Sequence, residues 1–243
     1  MMKVKGGRNF YGPVIGVLLL ETKFPRIPGD VGNAYTYDFP VIFKVVKGAT
    51  LSNVVFQTDE SLKIAFIEAA KELEREGVKA ITTSCGFTVL FQDDMAKAVH
   101  VPVFASSLLM VPLVYRLVQG RIGIITANSR NLTQRHLKAA GITEDIPVAI
   151  AGLETREEFS RVILYNGEDA DPEKIEREVI ETAKDLVNKY PDIKAFVFEC
   201  HNLSPFSHAV VREIGLPVFD FYTFVQFVYN AVVKRRWPYD LGF

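Results

Sequence analysis

The chain has 243 residues, 49% of them apolar, and a net charge of −1. That length suits one large domain or two lobes of about 110 residues each, and the balanced charge, with basic residues dispersed, excludes a nucleic-acid surface. Two cysteines exclude a disulfide framework, although a single Cys85–Cys200 bridge stays open; with no CxxC and no His/Cys cluster, a structural metal is not expected.

Lys3, Lys5 and Arg8 precede the apolar run Val14–Leu20. No small-residue cleavage site follows, and so short a run cannot span a bilayer. It reads as a buried first strand of a cytoplasmic protein without a membrane partner. Residues 21–40, carrying Pro25, Pro28, Gly29, Gly32 and Pro40, read as a long loop, a frequent place for lids and binding segments. Val54–Gln57 reads as a strand. Residues 60–76 put Leu62, Ala65, Phe66, Ala69 and Leu73 on one helical face, ended by Gly77. Ala80–Thr83 is a strand leading into Cys85, followed by a helix over 87–99, a strand Val101–Phe104 and a helix to Val118.

The second half repeats the scheme. Arg121–Thr126 is a strand whose Arg121-Ile122-Gly123-Ile124-Ile125 echoes Val14-Ile15-Gly16-Val17-Leu18. A helix over 129–140 stops at Gly141, and a strand covers Ile146–Ala151. Residues 172–189 form a helix with Pro172 in its first turn and Ile175, Val179, Ala183 and Leu186 inward. Ala195–Phe198 is the strand before Cys200, followed by a helix over 204–214, strand Val218–Phe219 and a final helix from Tyr222 to Lys234. That helix is rich in Phe, Tyr and Val, which suits packing on the first lobe or a homo-oligomer interface. The Lys234-Arg235-Arg236 run reads as its solvated end.

The repeat is explicit. Residues 78–105 and 193–220 align without a gap: Lys79, Ala80, Cys85, Phe91, Pro102, Val103 and Phe104 recur as Lys194, Ala195, Cys200, Phe206, Pro217, Val218 and Phe219. The expected fold is α/β, with two pseudo-symmetric lobes, each a mostly parallel sheet flanked by helices. The expected lobes are 1–118, with helix 221–236 as a further part of the first, and 119–220. Ligands bind at the carboxyl ends of strands in such sheets. The two cysteines would therefore face one cleft, suited to removing a proton from one face of a carbon and returning it to the other.

Both cysteines precede helix starts, where a thiolate is favoured; small buried apolar packing is the plainer account. Exposed N–H groups there would hold a substrate carboxylate. Ser84 and Gly86 flank Cys85, and Gly86 admits a close backbone approach. Glu199, Cys200, His201 and Asn202 form the second cluster. Glu199 ends a buried strand, so it meets a partner or the cleft. His201 either bonds a substrate carboxylate or is a satisfied structural histidine. Asn128 either contacts a carboxylate or, like Ser129, caps the next helix. His100, His136 and His208 read as surface or helix residues. The Gly29-Asp30-Val31-Gly32-Asn33 loop reads as a lid or a turn-rich connection, not a phosphate loop.

These features resemble the aspartate/glutamate racemase superfamily, which includes hydantoin racemases, maleate isomerases and arylmalonate decarboxylases. The resemblance covers nearly the whole chain. It implies a cofactor-independent racemase or epimerase acting α to a carboxylate or carbonyl of a small amino-acid-like or hydantoin-like substrate, with Cys85 and Cys200 as the acid–base pair. Arylmalonate decarboxylases keep only the second-lobe cysteine, so two argue for racemisation. Glutamate racemases follow their first cysteine with Asn-Thr and their second with Thr; Gly86-Phe87 and His201-Asn202 stand here instead. Phe87 reads as a less polar pocket wall or as core packing. A maleate-type isomerase with one nucleophilic cysteine, and a non-catalytic small-molecule binder, are the alternatives.

Overall fold

The computed structural model describes residues 6–236, so Lys3 and Lys5 lie outside the described residues. Strand β1 (Ile15–Glu21) is flanked by β2 (Val41–Thr50) and β3 (Ala80–Thr83), with β4 (Val103–Phe104) beyond β3. In the second sheet β5 (Arg121–Thr126) is flanked by β6 (Val148–Gly152) and β7 (Ile193–Phe198), with β8 (Val218–Phe219) beyond β7. All six pairings are parallel. The two sheets thus share one strand order, as the repeat implies.

The helices α1 (Leu62–Glu76), α2 (Gln92–Ala98) and α3 (Val111–Val118) belong to the first half of the chain. The helices α4 (Gln134–Ala139), α5 (Glu157–Phe159), α6 (Pro172–Lys189), α7 (Ser207–Ile214) and α8 (Phe221–Val232) follow in the second. No described helix is long and apolar enough to cross a membrane. Helix α6 forms because Asp171 caps it, its carboxylate accepting from the N–H groups of Glu173 and Lys174 at 3.1 Å, with Pro172 in the first turn. It buries Ile175, Val179, Ala183 and Leu186, the stripe read from the sequence. Helix α8 is capped by Asp220 and returns to the first sheet, where Phe221, Val225 and Val228 pack with Val14, Ile15, Val17 and Phe104. The largest core runs without a break from Leu18 and Ile81 through Leu108 and Val111 to Ile122, Ile124 and Val197. The two halves are therefore fused by shared apolar contacts.

Three segments differ from the sequence reading. The run at Val54–Gln57 is no strand. Ser52–Phe56 is a π-helical turn whose Val54 and Val55 point into the core. The strand is Val41–Thr50, half-exposed along most of its length at the sheet edge, with a register break opposite Leu19–Glu21. The helix expected over 129–140 begins only at Gln134, because Thr133 and His136 form a capping box there. Residues 157–164 carry an unread helical turn, α5, running into a π-helical turn Ser160–Leu164.

Gly16 and Gly123 occupy equivalent places in the central strands, paired with Ile81 and Phe196. A Cβ on Gly16 would lie 2.7 Å from the Leu73 side chain, and one on Gly123 would lie 2.6 Å from the Phe196 ring. These contacts set the helix-to-sheet and strand-to-strand spacing. Gly123→Ala should lower stability by about 1–3 kcal/mol through overpacking, read as a lower denaturant midpoint; an unchanged midpoint would show that Phe196 has room to move.

Candidate active site

The carboxyl ends of β3 and β7 deliver Cys85 and Cys200 to one cavity. Ser84, Gly86, Phe87, Glu199 and Asn202 line it as well. Both thiols are free, Cys200 buried and Cys85 partly exposed. Among the described residues, no cluster of three or more His, Cys, Asp or Glu side chains is placed to hold a metal ion.

The Cys85 loop is fastened from behind. Ser84 Oγ accepts from the Leu20 N–H at 2.9 Å, tying the end of β3 to β1. Thr88 Oγ1 donates to the Cys85 carbonyl at 2.6 Å and closes the turn. The Phe87 and Thr88 N–H groups sit where they favour a Cys85 thiolate, but burial and then Glu199 dominate and push the thiol up. Burial, and then Glu199, also push Cys200 up. The helix-start effect expected from the sequence is present but loses to desolvation. Both shifts favour the neutral thiol over the thiolate.

Glu199 directly follows β7, and its side chain is fully buried. Its Oε2 accepts from Thr126 Oγ1 at 2.6 Å, while Oε1 has no partner. Burial raises its pKa to about 7, against the opposing hydrogen bonds from Thr126 and the Ala127 N–H. A Cβ at position 86 would overlap the Glu199 carboxylate and carbonyl oxygens. Gly86 is therefore required for the two strand ends to approach.

Two candidates do not line the cavity. Asn128 Oδ1 accepts from the Arg130 N–H at 3.0 Å, the local turn role. His201 is fully engaged between the halves. Its Nδ1 lies 2.8 Å from the Thr83 carbonyl and its Nε2 accepts from the Ser107 N–H at 3.2 Å. Because a carbonyl only accepts, Nδ1 carries the proton. Burial holds the His201 pKa down to about 4. His136, read as a surface or helix residue, is buried too. Its ring meets Phe87 edge-on at 5.1 Å, and burial also holds it to about 4.

The 21–40 loop brings residues the sequence did not single out. Thr22, Phe24 and Arg26 line the cavity. Arg26 bonds Asp30 at 2.6 Å and Thr22 at 2.9 Å. Asp30 in turn accepts from Asn202 Nδ2 at 2.7 Å, and Asn202 Oδ1 accepts from the Cys200 thiol at 3.6 Å. A continuous polar chain thus runs from the loop to the second sulfur. Leu20, Leu51, Val55, Ile163 and Leu164 complete an apolar wall. The available signal was an Arg and an Asp four residues apart in a Pro/Gly-rich loop, which spacing alone does not aim at a site.

The profile of the Asp/Glu/Hydantoin racemase family matches residues 46–224. A dimethylsulfoniopropionate lyase of Durusdinium sp. clade D is 32% identical over 234 residues, spanning 91% of this chain and 75% of that protein. Dimethylsulfoniopropionate lyase 7 of Emiliania huxleyi (strain CCMP1516) is 34% identical over 219 residues, spanning 86% of this chain and 64% of that protein. Unliganded arylmalonate decarboxylase superposes with a TM-score of 0.61 at 15% identity, over 93% of this chain and 96% of that one, a likeness of fold. The chain belongs to the Asp/Glu/hydantoin racemase family.

The histidines make stability depend on pH. The unfolded chain binds protons at these imidazoles below about pH 6.5, whereas the native state refuses them until about pH 4. Stability should therefore be intact above that range and fall as pH drops through it, by about 3 kcal/mol for each fully buried ring. His201→Gln, which retains a donor and an acceptor but does not titrate, should flatten the slope seen in denaturation at several pH values. An unchanged slope would mean that His201 titrates alike in both states.

Proposed function

We propose that this member of the racemase family removes the proton α to the carboxylate of a small substrate, using Cys85 and Cys200. The observation that carries this reading is that two thiols from equivalent strand ends line one largely apolar cavity. The substrate we favour is a β-sulfonio carboxylate of the dimethylsulfoniopropionate type, and the reaction a β-elimination. The named lyase relatives support this choice.

The electrostatics support it as well. Burial and Glu199 both oppose a thiolate in the empty site. Arg26, which favours a Cys85 thiolate, is already paired with Asp30. A sulfonium substrate supplies the missing positive charge. Its methyl groups suit Leu20, Leu51, Val55, Ile163 and Leu164, and its charge suits the aromatic ring of Phe87. Cys85 is the better base. Arg26 favours its ionisation, whereas the Cys200 proton is held by Asn202. As the Cys85 thiolate takes the α-proton, the electron pair forms the Cα–Cβ double bond and the Cβ–S bond breaks. Dimethyl sulfide leaves neutral, acrylate remains, and the proton passes from the thiol to water.

A second reading is favoured by the second thiol itself. Elimination needs one base, whereas racemisation needs an acid on the opposite face. With a substrate lacking a β-leaving group, Cys200 would return a proton and invert the centre.

Incubation with dimethylsulfoniopropionate should release dimethyl sulfide and acrylate, followed by gas chromatography and NMR in deuterium oxide. Cys85→Ala should lower the rate about 10²–10⁴-fold, and Cys200→Ala less. No elimination, together with α-deuterium exchange and inversion of chiral α-amino acids or hydantoins, would replace the lyase reading by the racemase one. No α-proton exchange with any of them would sink both.

A further inference from the structure

The cavity contains one polar atom that the fold leaves without a partner. Glu199 Oε1 is buried and accepts no hydrogen bond, although the other oxygen of the same carboxyl is held by Thr126 at 2.6 Å. An orphaned oxygen of a buried carboxylate is costly, and an isolated buried charge far more so. Protonation relieves this cost by turning the orphan acceptor into an O–H donor that lacks only a ligand. The geometry is specific. Glu199 directly precedes Cys200, its carboxyl packs against Gly86 beside Cys85, and it forms part of the cavity wall. It acts electrostatically on both sulfurs.

We propose that Glu199 works as a neutral carboxylic acid whose Oε1–H donates to a substrate carboxylate oxygen and strengthens that bond as the α-proton leaves. The inference rests on the α-proton reading above and deepens it. Removing a proton α to a carboxylate places a second negative charge on the two carboxylate oxygens. A preorganised donor aimed there stabilises the transition state more than the ground state. No proton leaves Glu199 in this step. The α-proton goes to sulfur, the electron pair is shared with the carboxylate as it develops into the Cα–Cβ double bond and the Cβ–S bond breaks, and the Oε1–H···O hydrogen bond shortens. The neutral form has a second consequence: ionised Glu199 pushes both thiols up, so a protonated Glu199 leaves a thiolate easier to form.

The groups facing this carboxyl are the two thiols, the Thr126 hydroxyl and the Ala127 N–H. Arg26 and Asp30 act from the loop, on Cys85 and on Cys200 respectively, and the neighbouring His201 is neutral. Of these, Glu199 is the one placed to titrate near pH 7. Donation should therefore be present below that pH and lost above it.

The test uses propionate, an unreactive carboxylate, in calorimetric titrations of the full chain between pH 5.5 and 8.5, a range of about 1.5 units either side of the expected midpoint. Wild type should bind more weakly as pH rises through neutrality. Glu199→Gln retains the Thr126 bond and an N–H donor, and its binding should be flat with pH. In turnover, Glu199→Ala should lower kcat by about 10²–10³-fold with little change in KM, and Glu199→Gln by less. The same pH dependence in Glu199→Gln, or full kcat in Glu199→Ala, would overturn the role of Glu199 and leave the carboxylate site standing. No propionate binding to wild type at any pH would overturn both together.

Discussion

Both cysteine loops depend on one imidazole. His201 follows Cys200 in the second half of the chain, yet its two nitrogens are spent on Thr83 and Ser107 in the first. Thr83 ends the strand that delivers Cys85, so a single neutral ring spans the gap between the two sulfur-bearing loops. Proton transfer requires reacting atoms at about 3–3.5 Å in fixed orientation. Loops anchored to separate lobes would not hold that tolerance. Here the ring is buried and both nitrogens are satisfied, which makes displacement costly. The shared apolar core from Leu18 to Val197 supports the same register at larger scale.

The cavity is lined largely by buried side chains, and burial governs their chemistry. Burial pushes both thiols and Glu199 toward their neutral forms, and holds His201 and His136 neutral as well. The Arg26–Asp30 pair, bonded to Asn202, cancels its own charge at the wall. In such surroundings a few fixed dipoles act strongly, because little solvent screens them. The N–H groups of Phe87 and Thr88 and the carboxyl of Glu199 are the dipoles at hand.

Much of this was legible in the chain. The central strands β1 and β5, the stripe of α6 and the strand ends before both cysteines were readable because local apolar pattern and tertiary burial agree there. Val41–Thr50 escaped because it is an edge strand, with Lys44 and Lys47 breaking its apolar run. Val54 and Val55 misled for the opposite reason: a short β-branched run is buried whether it lies in a strand or in a turn. His136 looked like a helix-surface residue, but α4 starts late and turns its first-turn ring against Phe87. Phe87 is accordingly both core and cavity wall.

The sequence by itself determined the duplicated framework and the two sulfur positions. Both depend on local pattern, and an internal repeat displays it twice. It also marked residues 21–40 as a long loop, open between a lid and a turn-rich connection. Only the tertiary structure decided which neighbours face the cavity: Glu199 and Asn202 inward, His201 across to Thr83, Asn128 into its own turn. It alone brought Arg26 into the cavity wall and Asp30 onto Asn202, the neighbour of the Cys200 thiol. It also reversed the expected ionisation of the thiols, because a helix-start dipole is a local feature, whereas desolvation is the summed effect of segments far apart in the chain.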